Sequence, residues 1–569
     1  MPYALSRAKK EAVSALKKAL GKGVVISVDD LEVPPDPKMG ALAFPCFALA
    51  KQLKKNPVEV ARELAAKIGP TSLIARAKDV GPYVNFSLND ATFAESVLGE
   101  VVEMGGDYGH STSGKGVKVS LEYAQPNTHK LFHVGHIRNA VLGQSIVNVL
   151  KASGYDVVPT AYIGDSGADV AKAVWGFEQY YGDKEIAPED RVRCLHDAYV
   201  RATTEVEEKP ELKEAFFDVQ QAIERQEEPW FGLWKETRQW SLDAFQAVFS
   251  ELNVAPEEWY FESELDTLAK KMVNKLLTDG IAKKSEGATI VDLEEEGLGV
   301  FLILKSDGTT LYSTWDLALA HEKEKDSKPD RQIIVVDVRQ LLHFKQLFAT
   351  LKRMGFHAQM QHVSYDFVTL PEGAMSSRKG LVVTYDDLRE QMEEHVRKET
   401  RKRHEEWSDK QVEKTVGTLV TSAMNFMMLR QDPQSIITFD MEEAMSFDGF
   451  TGPYILYTIA RIARLQEKAP SQGGIKLPLL TNEHEQQLIR KIAEYPTVLA
   501  RAAASFNVAV IASWAFDTAK VFSEYYHQVR ILNEDEPDLT ATRVALAQAV
   551  QHVLTLAMNV LSIDTLKEM

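Results

Sequence analysis

His133-Val134-Gly135-His136 stands where a strand, Val117 to Ala124, gives way through a short loop to a helix expected over Ile137 to Ala152. A helix N-terminus presents unpaired N–H groups and a partial positive charge, which makes it an anion site. Two imidazoles flanking a glycine add movable donors there, and Gly135 lets a ligand approach the backbone. The pattern points to phosphate, with the triphosphate of ATP as the expected ligand.

The flanking sequence sets the fold around this point. Gly154 is a natural helix C-cap, and a second strand, Asp156 to Ile163, leads into Gly164-Asp165-Ser166-Gly167. Strand, crossover helix and strand imply an α/β, Rossmann-type doubly wound parallel sheet. Residues 183–280 read as a helical, acidic insertion. Strands return at 288–291, 300–304 and 332–337, and a helix follows over Leu342–Met354. The catalytic unit is therefore expected over 117–385. Residues 1–110 read as a small α/β domain, with helices over Leu5–Leu20 and Pro45–Ile68, a strand at Val84–Leu88 and a linker at Gly105–Gly116. Beyond Tyr385 the pattern is almost wholly helical, read as a connector at 386–445 and an all-α domain at 446–569.

A chain of 569 residues exceeds one core and implies two to four domains. No run of eighteen apolar residues suggests a membrane span. The start lacks the apolar core of a signal peptide, so a cytoplasmic location is expected. Two cysteines, Cys46 and Cys194, exclude a disulfide framework and a cysteine-built zinc site. The net charge of −17 argues against a nucleic-acid partner, yet residues 1–70 carry a local +5, and Arg397 to Arg403 is a second basic cluster. RNA binding needs local positive surface, not a positive total.

Met375-Ser376-Ser377-Arg378-Lys379-Gly380 is a small-residue loop with two cations, suited to a leaving pyrophosphate. Together the two motifs resemble the HIGH and KMSKS signatures of class I aminoacyl-tRNA synthetases. Four more stretches are similar to the arginyl-tRNA synthetase family: Glu122 to Phe132, Leu311 to Asp316, Asp337 to Phe344 and Gly452 to Tyr457. So is the N-terminal segment through Gly81 to Phe86. Ala374 and Ser377 replace the two lysines of the usual KMSKS pattern; Lys130, before His133, is the expected substitute cation.

The resemblance implies arginine–tRNA ligase activity, with L-arginine, ATP and tRNA(Arg) as substrates, Mg²⁺ accompanying ATP without a dedicated carboxylate cage, and a monomer. It assigns His133, His136, Lys130, Arg378 and Lys379 to catalysis. Gly135, Gly164, Asp165, Met375, Ser376 and Ser377 join the two histidines at ATP. Glu122 and Asn127 are expected at the amino end of arginine, Tyr312, Asp316 and Gln340 at its side chain, and Gln125 among the residues that bind it. A guanidinium needs planar paired acceptors, which carboxylates supply. For tRNA, Tyr83 and Asn85 are expected at the D-loop, and Tyr454 and Tyr457, with Tyr525, at the anticodon. Two other readings stay open on the residues alone: a different synthetase or nucleotidyltransferase, and an inactive RNA-binding relative.

Overall fold

The computed structural model describes residues 3–21, 24–306, 308, 310–371, 383–470 and 473–569. Five parallel strands form the central sheet in the order Gln359–Tyr365, Arg331–Asp337, Lys118–Tyr123, Asp156–Ile163 and Glu258–Phe261. The first strand in sequence therefore lies in the middle, and the chain winds outward from it in both directions. Ligands of such sheets bind outside the carboxyl ends of the strands, where the winding reverses. Here that point lies between Lys118–Tyr123 and Arg331–Asp337.

The crossover helix, Val134–Ala152, is buried along most of its length. Its Asn139 joins the two strands at the reversal point: Oδ1 accepts from Ala124 N at 2.7 Å, and Nδ2 donates to Val335 O at 3.0 Å. Gly143 lets the helix sit on the sheet, since a Cβ there would come within 2.3 Å of Tyr123. The buried Arg138 donates to the carbonyls of Asp366, Phe367, Asp432 and Pro433. It thereby fastens the motif helix to the small parallel pair Val368–Thr369 and Ile437–Thr438.

Two expectations need correction. The segment 183–280 is not wholly helical insertion. Glu258–Phe261 within it is the edge strand of the parallel sheet, and only four residues long, too short to stand out between helices. The stretch read as one helix over Pro45 to Ile68 is two, Phe47–Leu53 and Pro57–Lys67. Lys54 turns left-handed at φ 54°, Asn56 caps the second helix, and Pro57, lacking an N–H, starts it rather than continuing the first.

The N-terminal unit is a three-stranded antiparallel sheet, with Leu42–Pro45 and Ile74–Val80 on either side of Tyr83–Leu88. A second antiparallel sheet, Lys283–Ser285, Ala288–Leu293 and Gly299–Leu304, stands apart from the parallel one. Beyond it, helices Tyr385–Arg403 and Asp409–Leu429 lead to a bundle of Gly452–Glu467, Glu483–Ser505, Ala509–Gln528 and Pro537–Val560. No helix among the described residues is long and apolar enough to cross a membrane.

Candidate active site

A cleft of about 870 Å³ opens at the reversal point of the sheet. It is lined by Glu122, Gln125, Asn127, His133, Gly135, His136, Gly164, Tyr312, Asp316 and Gln340, all singled out from sequence, and also by Tyr162, Glu262, Arg339 and His343.

The helix N-terminus forms one wall. His133 is its N-cap; Nδ1 accepts from Gly135 N at 3.1 Å, and Nδ1 of His136 accepts from His133 N at 3.2 Å. The two rings stack with centroids 3.7 Å apart. Burial pushes the His133 imidazole down to about 4 and His136 well below its usual value. Both are neutral at pH 7. Because each Nδ1 accepts a backbone hydrogen, the one remaining ring proton is assigned to Nε2. The motif thus presents two neutral N–H donors without any protonation step.

Lys130 Nζ lies 2.8 Å from Asp169 Oδ2 and 4.6 Å from the centroid of the Tyr199 ring. Burial raises the Asp169 carboxyl, but Lys130 and Lys172 outweigh it and hold it at about 2. The helical insertion, through Tyr199 on Arg191–Glu208, therefore helps to orient this lysine.

The floor is acidic. Asp316 Oδ2 lies 2.5 Å from His343 Nε2. Burial pushes the Asp316 carboxyl up, and His343 pulls against that. Glu122 is buried and salt-bridged to Lys323, and its Oε1 accepts from Gln125 Nε2 at 2.5 Å. Glu262 has no salt bridge among the described residues; burial, then Asp165 and Asp316, push its carboxyl up to about 8. Of the three carboxyls, Glu262 is the one without a cationic partner among the described residues. Gly164 is required beside it, because a Cβ there would sit 2.0 Å from Asn127 Oδ1.

The family model for the class I (R) tRNA synthetase catalytic domain matches residues 99–439. The arginyl-tRNA synthetase N-terminal domain matches 6–88, and the DALR anticodon-binding domain 455–569. An arginine–tRNA ligase of Bdellovibrio bacteriovorus is 37% identical, covering 98% of each chain, and one of Treponema denticola is 32% identical over 95% of each. The chain belongs to the arginyl-tRNA synthetase family. The arginyl-tRNA synthetase structure of Thermus thermophilus superposes with a TM-score of 0.82 at 25% identity, covering 99% of this chain and all of that one.

Against that family frame, several expected residues fall elsewhere. Asp165, expected at ATP, is fully buried and absent from the cleft lining. It takes Arg238 Nε at 2.7 Å and both N and Oγ of Ser263, so it ties the strand end to the insertion. Asn85, expected on a base edge, is buried, its amide donating to Met39 O at 3.1 Å. Tyr83 is half-buried, edge-on to Phe47. In the C-terminal bundle Tyr454 packs on Phe516 and Tyr525 is buried. Tyr457 is exposed, as is Tyr526, and Arg461 lies over both rings at 4.6 and 5.0 Å. Met375, Ser376, Ser377, Arg378 and Lys379 lie outside the described residues. The chain before this segment lines the cleft at Phe367 and Val368, and the chain after it pairs with the motif, Thr384 bridging to His133 and Tyr385 N donating to Phe132 O at 2.8 Å.

Sequence reasoning missed Glu262, Lys323 and His343. Lys323 was within reach, because Asp316, Ala320 and Lys323 follow helical spacing. His343 lay inside the stretch Asp337 to Phe344 but was not singled out there, and Glu262 had no local signal, since only the fold brings its helix to the cleft.

Proposed function

We propose that this chain joins L-arginine to tRNA(Arg) in two steps at this cleft. The arginine carboxylate attacks the α-phosphorus of ATP, forming arginyl-adenylate and expelling pyrophosphate. The terminal ribose hydroxyl of the tRNA then attacks the adenylate carbonyl and releases AMP. The observation that carries this reading is the meeting, in one cleft, of a neutral-histidine anion site with an acidic recess in which Glu262 has no salt bridge among the described residues.

In this reading the Nε2–H groups of His133 and His136 donate to phosphate oxygens, and Lys130 supplies positive charge. These groups accelerate the reaction only so far as they bind the transition state more tightly than the ground state. Asp316 and Glu262 face the guanidinium, with Tyr312 and Gln340 at its rim. Glu122 and Asn127 hold the α-ammonium. Among the described residues no group of three His, Cys, Asp or Glu is arranged for a metal. A Mg²⁺ would accompany the phosphates of ATP, whose charge it screens. The Tyr457–Arg461–Tyr526 array suits an unpaired base by stacking. Cytoplasmic work as a monomer completes the proposal.

ATP–pyrophosphate exchange, run with each amino acid with and without tRNA(Arg), tests it. Exchange is expected with arginine alone among the amino acids, and in the presence of tRNA. Exchange with another amino acid would reassign the substrate, and no exchange under any condition would leave an RNA-binding protein.

A further inference from the structure

Lys323 lies on the helix Tyr312–Ser327, two turns beyond Asp316 and on the same face. It is 1% exposed, and Glu122, to which its Nζ is salt-bridged through Oε2, is 3% exposed. Its Nζ also lies 5.9 Å from the centroid of the Tyr260 ring. From the other side Gln125 donates to Oε1 of Glu122. Among the described residues each carboxylate oxygen thus has one donor, and its second lone pair remains for the cleft that Glu122 lines.

A buried ammonium is costly, and an apolar side chain would fill the same space between Leu319 and Ser327 without that cost. A fixed cation also opposes the entry of a cationic substrate. Its place needs a reason from the chemistry of the cleft. Glu262 supplies the contrast: with no salt bridge among the described residues, its carboxyl is pushed up to about 8 by burial and by Asp165 and Asp316. A buried carboxylate that is to hold an ammonium at neutral pH needs a counter-cation of its own, placed where the substrate does not compete for it.

We propose that Lys323 is a positioning residue for the amino-acid substrate: it holds the Glu122 carboxylate aimed at the cleft, so that this carboxylate receives the α-ammonium. The inference rests on the reading that L-arginine is the substrate. It differs from a packing role in one respect. Its effect is confined to ligands that carry the ammonium.

The test compares L-arginine with 5-guanidinopentanoate, which keeps the guanidinium and carboxylate and lacks the α-ammonium. Binding of both to the full-length protein with tRNA is measured by calorimetry for the wild type, Lys323→Met and Lys323→Gln. L-arginine affinity is expected to fall by about tenfold or more, as for loss of one partner of a buried charge pair. Affinity for 5-guanidinopentanoate should stay within about twofold. Equal loss for both ligands, or no loss for either, overturns the proposal. If neither neutral variant folds, Lys323→Arg, which displaces the Glu122 carboxylate while keeping the charge, is judged by the same ratio. A wild type that does not bind L-arginine at all would instead sink the functional reading itself.

Discussion

At the floor of the cleft three acidic side chains have their charge met in three ways, and each way has a measurable consequence. Glu122 has Lys323, Asp316 has His343, and Glu262 has no salt bridge among the described residues. A carboxyl held up to about 8 is mostly protonated at pH 7. An arriving guanidinium favours its ionised form and lowers that value, so the proton leaves. Arginine binding at pH 7 is therefore expected to release close to one proton, read by calorimetry in two buffers of different ionisation enthalpy. Glu262→Gln should abolish the release; an unchanged release in that variant would remove Glu262 from the guanidinium site. Asp316→Ala should raise the KM for arginine by about a hundredfold, the loss of charge-assisted hydrogen bonds worth about 3 kcal/mol. The KM for ATP should barely move, and a similar small rise for both substrates would discard the assignment. Asp316 was legible because Tyr312 and Asp316 share a helix face in a recognisable stretch. Glu262 was not, since a glutamate that begins an ordinary amphipathic helix looks like one of many.

The motif helix, Val134–Ala152, is held by contacts that local sequence does not disclose. Its interior glycine, Gly143, reads as a weak point for a helix, and replacement by alanine gains about 1 kcal/mol in helix propensity. The contact with Tyr123 argues the other way, because a new Cβ would meet the ring at 2.3 Å. Overpacking of this kind costs about 1–3 kcal/mol and offsets the propensity gain. Gly143→Ala is thus expected to lower the urea midpoint, with the slope unchanged. A rise in the midpoint would show that the sheet yields easily. The helix itself was visible from its cap and its apolar run, three residues short at the N-terminal end. The missing residues matter, because the observed start makes His133 the N-cap and places His136 in the first turn. The break at Lys54–Pro57 was hidden for a different reason: apolar spacing ran on through a proline that can open a helix as well as end one.

On the scale of the whole molecule, the buried histidines link the fold to pH. His129 is fully buried between Thr128 and Thr237, and burial pushes it down to about 3, while His133 is pushed down to about 4. An unfolded histidine titrates near 6.5. Below that pH the unfolded chain takes up protons that the folded chain refuses, so the unfolded state gains. The stabilisation from keeping these imidazoles neutral is complete above pH 6.5 and is lost as pH falls from there towards 4 and 3. Urea titrations at successive pH values should show stability declining through this window. His129→Gln should make the decline shallower by about one proton; the same slope in that variant would mean that His129 titrates normally in the fold.

The chain's own order of residues determined the parallel α/β core, the helical C-terminal third, the paired histidines at the helix start and most of the cleft lining. Those features depend on local spacing: strand, turn and helix at set offsets, and side chains one helical turn apart. Only the folded molecule decided that Glu258–Phe261 completes the sheet, that Asp165 turns inward to Arg238 and Ser263, and that Asn85 is buried. It alone brought Glu262, Lys323 and His343 to the same recess from three different helices. Whether a carboxylate faces substrate or a structural partner depends on what packs against it from distant segments, and such partners leave no periodic trace in the chain that carries them.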